Sequence, residues 1–274
     1  MGVYAALFIL AILGWAPPAF AGAWTQPQGG HYAKLAVNYL EARSDLDADG
    51  NKLSKPRMGR LRDFSVATYI EYGILRRLTL VASAPYKRLT DERTFATGIG
   101  TERDANLGDL ELRLRYGWRD APAVFSLAGG VKLPLTYKVR SESNVPLGTG
   151  EIDADLRLLV GRSLYPVPAY LTGELGYRLR GGAFSAEWFA ALEGGVSWRR
   201  LLFKGSVSSV RTLGDCGAMG QAGLIGDQNV LKFSPGLIYN LSDRVEIHGD
   251  LFHIAGGCNT TTGNTLSLGV AFKG

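Results

Sequence analysis

The chain has few residues that carry metal, redox or nucleophilic chemistry. Its 274 residues include two cysteines, three histidines and three methionines. No zinc motif, haem motif or glycine-rich phosphate loop is present. The sequence therefore predicts no catalytic residues, no metal site and no cofactor, and it does not favour an enzyme.

Long apolar runs and clusters of positive charge are scarce as well. Beyond residue 21, no stretch approaches the ~20 apolar residues that a membrane-spanning helix needs. The formal net charge of +5 is scattered along the chain. Without a basic cluster, no nucleic-acid partner is predicted. The roughly 250 residues that remain are enough for one large all-β domain.

The amino-terminal segment, residues 1–21, reads MGVYAALFILAILGWAPPAFA and contains no charged side chain. Its apolar run ends at Pro17 and Pro18, and Ala19-Phe20-Ala21 then forms a small-x-small cleavage site. This pattern is typical of a secretory signal peptide, although no Lys or Arg precedes the apolar run. A retained membrane helix is the alternative. We expect 1–21 to be a signal peptide and 22–274 to be the mature domain, in the envelope of a Gram-negative cell.

The segment NLGDLELRLRYGW, residues 106–118, alternates strictly between two kinds of side chain. Its charged set consists of Asp109, Glu111, Arg113 and Arg115. The residues between them are leucines, Tyr116 and Trp118. Because successive side chains of a β-strand point to opposite faces, this segment is a strand with one apolar and one charged face. It fits a half-solvated soluble sheet, or a membrane-barrel strand with lipid on one side and an aqueous lumen on the other.

The same alternation recurs in twelve segments, from HYAKLAVNYLEA at 31–42 to TLSLGVAF at 265–272. Short turns and long polar loops alternate between these segments. The long loops are predicted at 44–60, 88–106, 136–150, 212–228 and 254–264. Short periplasmic turns and long external loops are typical of outer-membrane barrels. Apolar-face aromatic residues occur near both strand ends, as two interfacial belts require.

These patterns predict an all-β fold, a single transmembrane antiparallel up-and-down β-barrel of about 12 strands, located in the cell outer membrane. The sequence also resembles a known family of outer-membrane barrels. The motifs that carry the resemblance are GAWTQPQG, YGILRRLTLVASAPY, NLGDLELRLRY, GVKLPL, PLGTGEIDADLRLLVGRSL and LSLGVAFKG. The family is that of the MetA-pathway-of-phenol-degradation, or transporter-like, proteins. The resemblance implies a barrel with a role in the uptake of small compounds, aromatic ones among them, and it brings no site residues.

Charged residues on the inward face are the candidate selectivity site. The strand directions place Glu187 and five candidate acids toward the external mouth: Asp109, Glu111, Glu151, Asp153 and Asp155. Three bases lie deeper: Arg113, Arg115 and Arg157. They form either an ion-pair network that stiffens the wall or a graded field that selects what passes.

Five inward aromatic residues either line a path for an aromatic solute or fill a narrow interior. These residues are Tyr32, Tyr69, Tyr170, Phe189 and Phe252.

One histidine permits a catalytic interpretation. His248 lies in a strand between Glu246 and Asp250, and Ser267 faces inward on the next strand. A histidine, a carboxylate and a serine can form a hydrolase triad, whereas an ion pair in the lumen is the alternative. We predict a porin-like passive channel or transporter for small, in part aromatic, solutes. A structural barrel with a closed lumen is the second interpretation and a barrel hydrolase is the third.

The two cysteines, Cys216 and Cys258, fall in predicted external loops on either side of one hairpin. Because the envelope is oxidising, we predict that they form a disulfide. The expected partners are outer-membrane lipid, a small-molecule solute and, during biogenesis, the barrel-assembly machinery.

Overall fold

The computed structural model describes residues 22–55, 59–95, 98–120, 122–137, 147–216 and 226–274. The predicted signal peptide therefore lies outside the described residues. The described chain forms fourteen β-strands. They are β1 His31–Leu46, β2 Lys52–Ser54, β3 Arg60–Leu75, β4 Leu78–Phe95, β5 Gly98–Leu107, β6 Asp109–Arg119, β7 Val124–Pro134, β8 Asp153–Ser163, β9 Ala169–Leu179, β10 Glu187–Trp198, β11 Leu201–Thr212, β12 Asn229–Asn240, β13 Val245–Cys258 and β14 Thr260–Lys273. Within these ranges, no helix is long and apolar enough to cross a membrane.

Twelve of the strands form a closed antiparallel barrel. Each wall strand pairs with its neighbour along the chain, and β14 pairs with β1 to close the ring. The other two strands, β2 and β5, pair with the external ends of β1 and β4. The predicted fold class is confirmed, and each of the twelve alternating segments contributes one wall strand.

The two faces of the wall have the predicted character. Leu35 is 51% exposed and Leu268 is 70% exposed, whereas the neighbouring inward residues Ala36 and Ser267 are buried. In a soluble protein such an apolar exterior would be unstable, but in a bilayer it is the surface that lipid covers. Exposed aromatic side chains lie near both ends of the strands. They include Tyr39, Phe64 and Trp188 toward the external side and Tyr72, Tyr116 and Trp198 toward the short turns.

Two of the predicted long loops are hairpins instead. β4 continues to Phe95 and pairs with β5, and β13 and β14 are separated only by Asn259. The β4–β5 extension has polar side chains on both faces, such as Arg88 and Asp91, and residues 254–257 of β13 are Ile, Ala and two Gly. Neither extension continues the alternation of apolar and polar residues that indicates a strand. The predicted boundaries at 88–106 and 254–264 were therefore wrong.

The disulfide between Cys216 and Cys258 is present, with the two Cα atoms 6.2 Å apart. Cys258 is the last residue of β13 rather than a loop residue. The bond therefore joins the connection that follows β11 to the external end of the β13–β14 hairpin.

Candidate functional site

An arginine-rich network fills one side of the lumen, along β6 to β10. Asp155 accepts from Arg157 at 2.6 Å and lies 3.4 Å from Arg113. Arg157 also pairs with Glu174 at 2.7 Å. The Arg157 guanidinium stacks over Phe189, 4.5 Å from the ring centroid. Phe189 therefore packs against the guanidinium groups of this network.

The acids nearest the external mouth have cationic partners. Lys132 lies 2.9 Å from Asp153 and 3.4 Å from Asp109. The Tyr137 hydroxyl donates to Asp109 and accepts from the backbone N–H of Gly150. Burial raises the pKa of the Tyr137 phenol above its ordinary value, so the phenol remains a proton donor at neutral pH. These contacts offset much of the negative charge that the sequence places at the mouth.

Seven of the eight predicted selectivity residues lie on the inner faces of β6 and β8. They are Asp109, Glu111, Arg113, Arg115, Asp153, Asp155 and Arg157. Glu151 lies before β8 begins, with its carboxylate against Gly181 and Gly182. Arg115 lies deepest and pairs with Glu71 of β3 at 2.7 Å.

A cavity of about 550 Å³ occupies the other side of the lumen, between β1, β3 and β9–β14. Four of the five predicted inward aromatic residues line it, and three lysines and two acids supply the charge. The aromatic residues are Tyr32, Tyr69, Tyr170 and Phe252, and the charged residues are Lys34, Lys204, Lys273, Glu193 and Glu246. The lumen therefore has an arginine side crossed by ion pairs and a lysine side that contains this cavity.

The lysines are held by buried carboxylates of the wall. Asp250 binds Lys204 at 2.9 Å and Lys34 at 3.3 Å. Glu246 binds Lys273 at 2.8 Å. Asp250 itself is buried, so its charge is balanced almost entirely by the two ammonium groups.

The candidate triad is not assembled. The His248 ring lies 3.2 Å from Glu246 and 3.3 Å from the Tyr32 hydroxyl, both through Nε2. Ser267 is opposite Asp250 in the register, and no described hydrogen bond joins it to His248. His248 is therefore a member of the polar wall of the cavity.

Residues 22–30, here called the N-terminal segment, cross the lumen near the short turns. Arg115 donates to the carbonyl of Gly22, and Ser126 donates to the carbonyl of Ala23. The Gln26 side chain donates to Glu71 of β3 at 2.8 Å, and Trp24 reaches Tyr170 of β9 across the lumen. Both Ala23 and Gln26 are buried. The segment thus spans the interior of the barrel and lies beneath the cavity, which Gly22 helps to line.

Trp24 anchors the N-terminal segment. Its ring makes an edge contact with Tyr170 at a centroid distance of 6.3 Å, and it packs against the cluster that Tyr170 forms with Leu202 and Ile238. A Cβ atom at Gly161 would lie 2.7 Å from the Trp24 ring, so the absence of a side chain there makes room for the indole. The wall is therefore shaped to receive this segment.

Sequence reasoning missed the N-terminal segment. It has no periodicity, because it is neither helix nor strand, and the alternation rule does not apply to it. The one signal is composition. AWTQPQG places a tryptophan and an apolar alanine between the predicted cleavage site and β1, where a free polar tail would need neither.

Comparison with known proteins gives structural similarity only. No family model matches the chain, and no curated protein matches it. The outer membrane channel COG4313 from Pseudomonas putida F1 superposes with a TM-score of 0.70 at 15% identity, over 95% of this chain and 100% of that chain. The NanC porin superposes with a TM-score of 0.54 at 8% identity, over 88% and 98%. The translocator domain of the autotransporter NalP from Neisseria meningitidis gives 0.50 at 11% identity, over 98% and 94%. With its closed wall and lipid-facing exterior, the chain has the fold of these proteins and is an outer-membrane β-barrel.

Proposed function

We propose that the barrel is a passive channel or transporter for small solutes, those with an aromatic part in particular. The observation that carries this proposal is the cavity on the lysine side of the lumen. Its aromatic rings offer apolar faces, and its lysines and carboxylates offer charged groups, so one wall can contact both parts of an amphipathic solute. The resemblance to transporter-like barrels and the fold shared with an outer membrane channel agree with it.

The path in this proposal enters at the external mouth, passes the cavity and leaves beside the N-terminal segment. The arginine side is crowded by ion pairs such as Arg157–Glu174, which leave less room for a solute. The eight predicted selectivity residues would then act at a distance, through the field that they set across the narrow lumen. The direct contacts would be made by the cavity lysines.

Electrical recording tests this function directly. We expect the mature protein in planar bilayers to give small current steps, because the N-terminal segment narrows the exit. Liposomes that contain it should admit benzoate faster than a non-aromatic carboxylate of similar size. Deletion of 23–28 should enlarge the current steps, and heat-modifiable migration on gels would show that the deleted form still folds.

A structural barrel with a closed lumen is the second candidate. The observation that favours it is the combination of the arginine network with a buried segment across the lumen. If neither the wild type nor the 23–28 deletion gives current steps or solute uptake, the channel proposal fails and this second function is supported.

We also infer that residues 1–21 are removed as a signal peptide during export, before the barrel-assembly machinery inserts the chain. In support, Gly22 lies inside the lumen with its carbonyl bound by Arg115, where a new chain end fits. The intact mass of the protein from outer membranes should correspond to a chain that starts at Gly22. A mass that includes the apolar run would indicate a retained helix.

A further inference from the structure

A group of arginines stands on the outer face of the barrel, on the flank formed by β1, β3, β4 and β5. The external arginine patch is defined by Arg43, Arg60, Arg62, Arg88 and Arg103, together with Glu41 and Glu92. The strand register brings them together, because Glu41 is opposite Arg62 and Arg60 is opposite Glu92. Thr90, between Arg88 and Glu92 on β4, is opposite Arg103 of β5.

The patch begins at the height of the external aromatic residues. Phe64 is opposite Tyr39 on one side and Arg88 on the other, and both aromatic rings are exposed on the lipid-facing surface. Toward the external end of β3, Arg62 lies two residues from Phe64, or about 7 Å along the strand, and Arg60 lies about 13 Å from it. The patch therefore covers the zone in which lipid headgroups meet the barrel.

The patch has an excess of positive charge. Five guanidinium groups face two carboxylates, which leaves a formal charge of 5 − 2 = +3. Glu92 binds Arg60 at 2.6 Å and lies 3.4 Å from Arg62, and these contacts orient the two guanidinium groups. The Arg43 side chain is 70% exposed. Arg88 and Arg103 are exposed too, so guanidinium groups of the patch are accessible from outside the barrel.

Among the residues that the structure describes, this outward positive charge lies mainly on one flank of the barrel. On the external halves of β7 to β14, the described outward side chains include one guanidinium, that of Arg211 on β11. It lies opposite Trp188, at the height of the aromatic belt. A general need for solubility above the membrane would distribute arginines around the whole ring, so the grouping calls for a local ligand.

We propose that the external arginine patch binds the phosphate groups of a phosphorylated saccharide lipid, the lipid A class, in the outer leaflet. Guanidinium groups form paired, planar hydrogen bonds with phosphate oxygens, and basic clusters at a membrane surface attract anionic headgroups. The patch lies above exposed apolar side chains such as Val37 and Leu35, which would contact the acyl chains of the same lipid. One flank would thus recognise both ends of the ligand.

The test measures lipid retention by native mass spectrometry on the mature barrel in detergent. The probes are lipid A with its phosphates and the same lipid after enzymatic dephosphorylation. The variant replaces Arg62, Arg88 and Arg103 with Gln. The matched control replaces Arg162, Arg211 and Arg244, which are outside the patch, with Gln. Heat-modifiable migration confirms that both variants fold.

We expect phosphorylated lipid A to bind the wild type and the control with similar affinity, and the Arg62/Arg88/Arg103 variant at least about tenfold more weakly. Dephosphorylated lipid should bind weakly to all three proteins. Equal loss in the control variant, or equal binding of the two lipids, would overturn the proposal. Displacement of the lipid by millimolar inorganic phosphate would do so too, because the site would then hold a free anion rather than a lipid.

Discussion

Arg115 is the residue at which the barrel wall and the N-terminal segment meet. Its guanidinium pairs with Glu71 at 2.7 Å and donates to the carbonyl of Gly22, and its side chain is 5% exposed. Glu71 also accepts a hydrogen bond from Gln26. This buried carboxylate therefore holds the N-terminal segment twice, directly through Gln26 and indirectly through Arg115. A charge removed from such a buried pair leaves its partner without compensation.

Replacement of Arg115 with Gln should therefore destabilise the barrel by about 3–5 kcal/mol. Arg77→Gln is the matched control, because the Arg77–Asp120 pair has side chains 46% and 62% exposed and should contribute at most about 1 kcal/mol. The measurement is the urea midpoint of tryptophan fluorescence in detergent. Similar midpoints for the two variants would show that the buried pair does not hold the structure.

A substitution at Gly161 tests whether the position of the Trp24 ring limits passage. An added Cβ would lie 2.7 Å from the indole, so Gly161→Ala should push the ring out of its place and loosen the N-terminal segment. We expect larger or more frequent current steps in planar bilayers. Gly205→Ala is the control, since no atom lies within 4 Å of the corresponding Cβ position. Unchanged currents in Gly161→Ala would mean that the segment does not limit passage.

At the scale of elements, the sequence predicted the strands inside the membrane but not the strand pairing above it. Inside the bilayer a strand has one lipid-facing side, so the alternation in 109–118 identified β6 and its inward charges correctly. Above the bilayer both faces are polar, and the pairing of β4 with β5 left no such trace in the sequence. The N-terminal segment is bound by individual contacts, such as that of Gln26 with Glu71, which depend on residues far apart in the chain.

The disulfide is an element-scale constraint on the external end. Its cysteines are 42 residues apart in sequence, so loop closure could contribute roughly 4 kcal/mol to stability. We expect reduction to lower the urea midpoint and leave the barrel folded, because the β12–β13 pairing does not depend on the bond. The Cys216→Ser/Cys258→Ser variant should show the lower midpoint without reductant. Thiol labelling of the denatured, unreduced wild type should find no free cysteine.

For the whole molecule, the division of the lumen determines where solutes can pass. Two lysines offer a matched test, because Lys204 and Lys132 each lie 2.9 Å from an aspartate, Asp250 and Asp153. Lys204 lines the cavity, whereas Lys132 belongs to the arginine side.

Lys204→Gln should shift the reversal potential in a salt gradient in the direction of greater cation selectivity, because it leaves Asp250 less well neutralised beside the path. Lys132→Gln should change it much less. The shift should diminish at high salt, since charges are then screened over a few ångströms. A larger effect of Lys132→Gln would place the path along the arginine side and contradict the proposed route.

The seam between β1 and β14 determines the order in which the barrel can be assembled. Backbone bonds join His31 and Gly274 in both directions, at 2.8 and 3.0 Å, although nearly the whole chain lies between them. Such long-range pairing closes a very large loop and is expected to be among the slowest steps. Until then the sheet has two unpaired edges, β1 and β14, which are available to another β-strand. Because Trp24 and Gln26 are packed within the ring, the simplest sequence of events places the N-terminal segment against β3 and β6 while the seam is still open. The N-terminal segment would then be bound to the wall before the barrel closes around it.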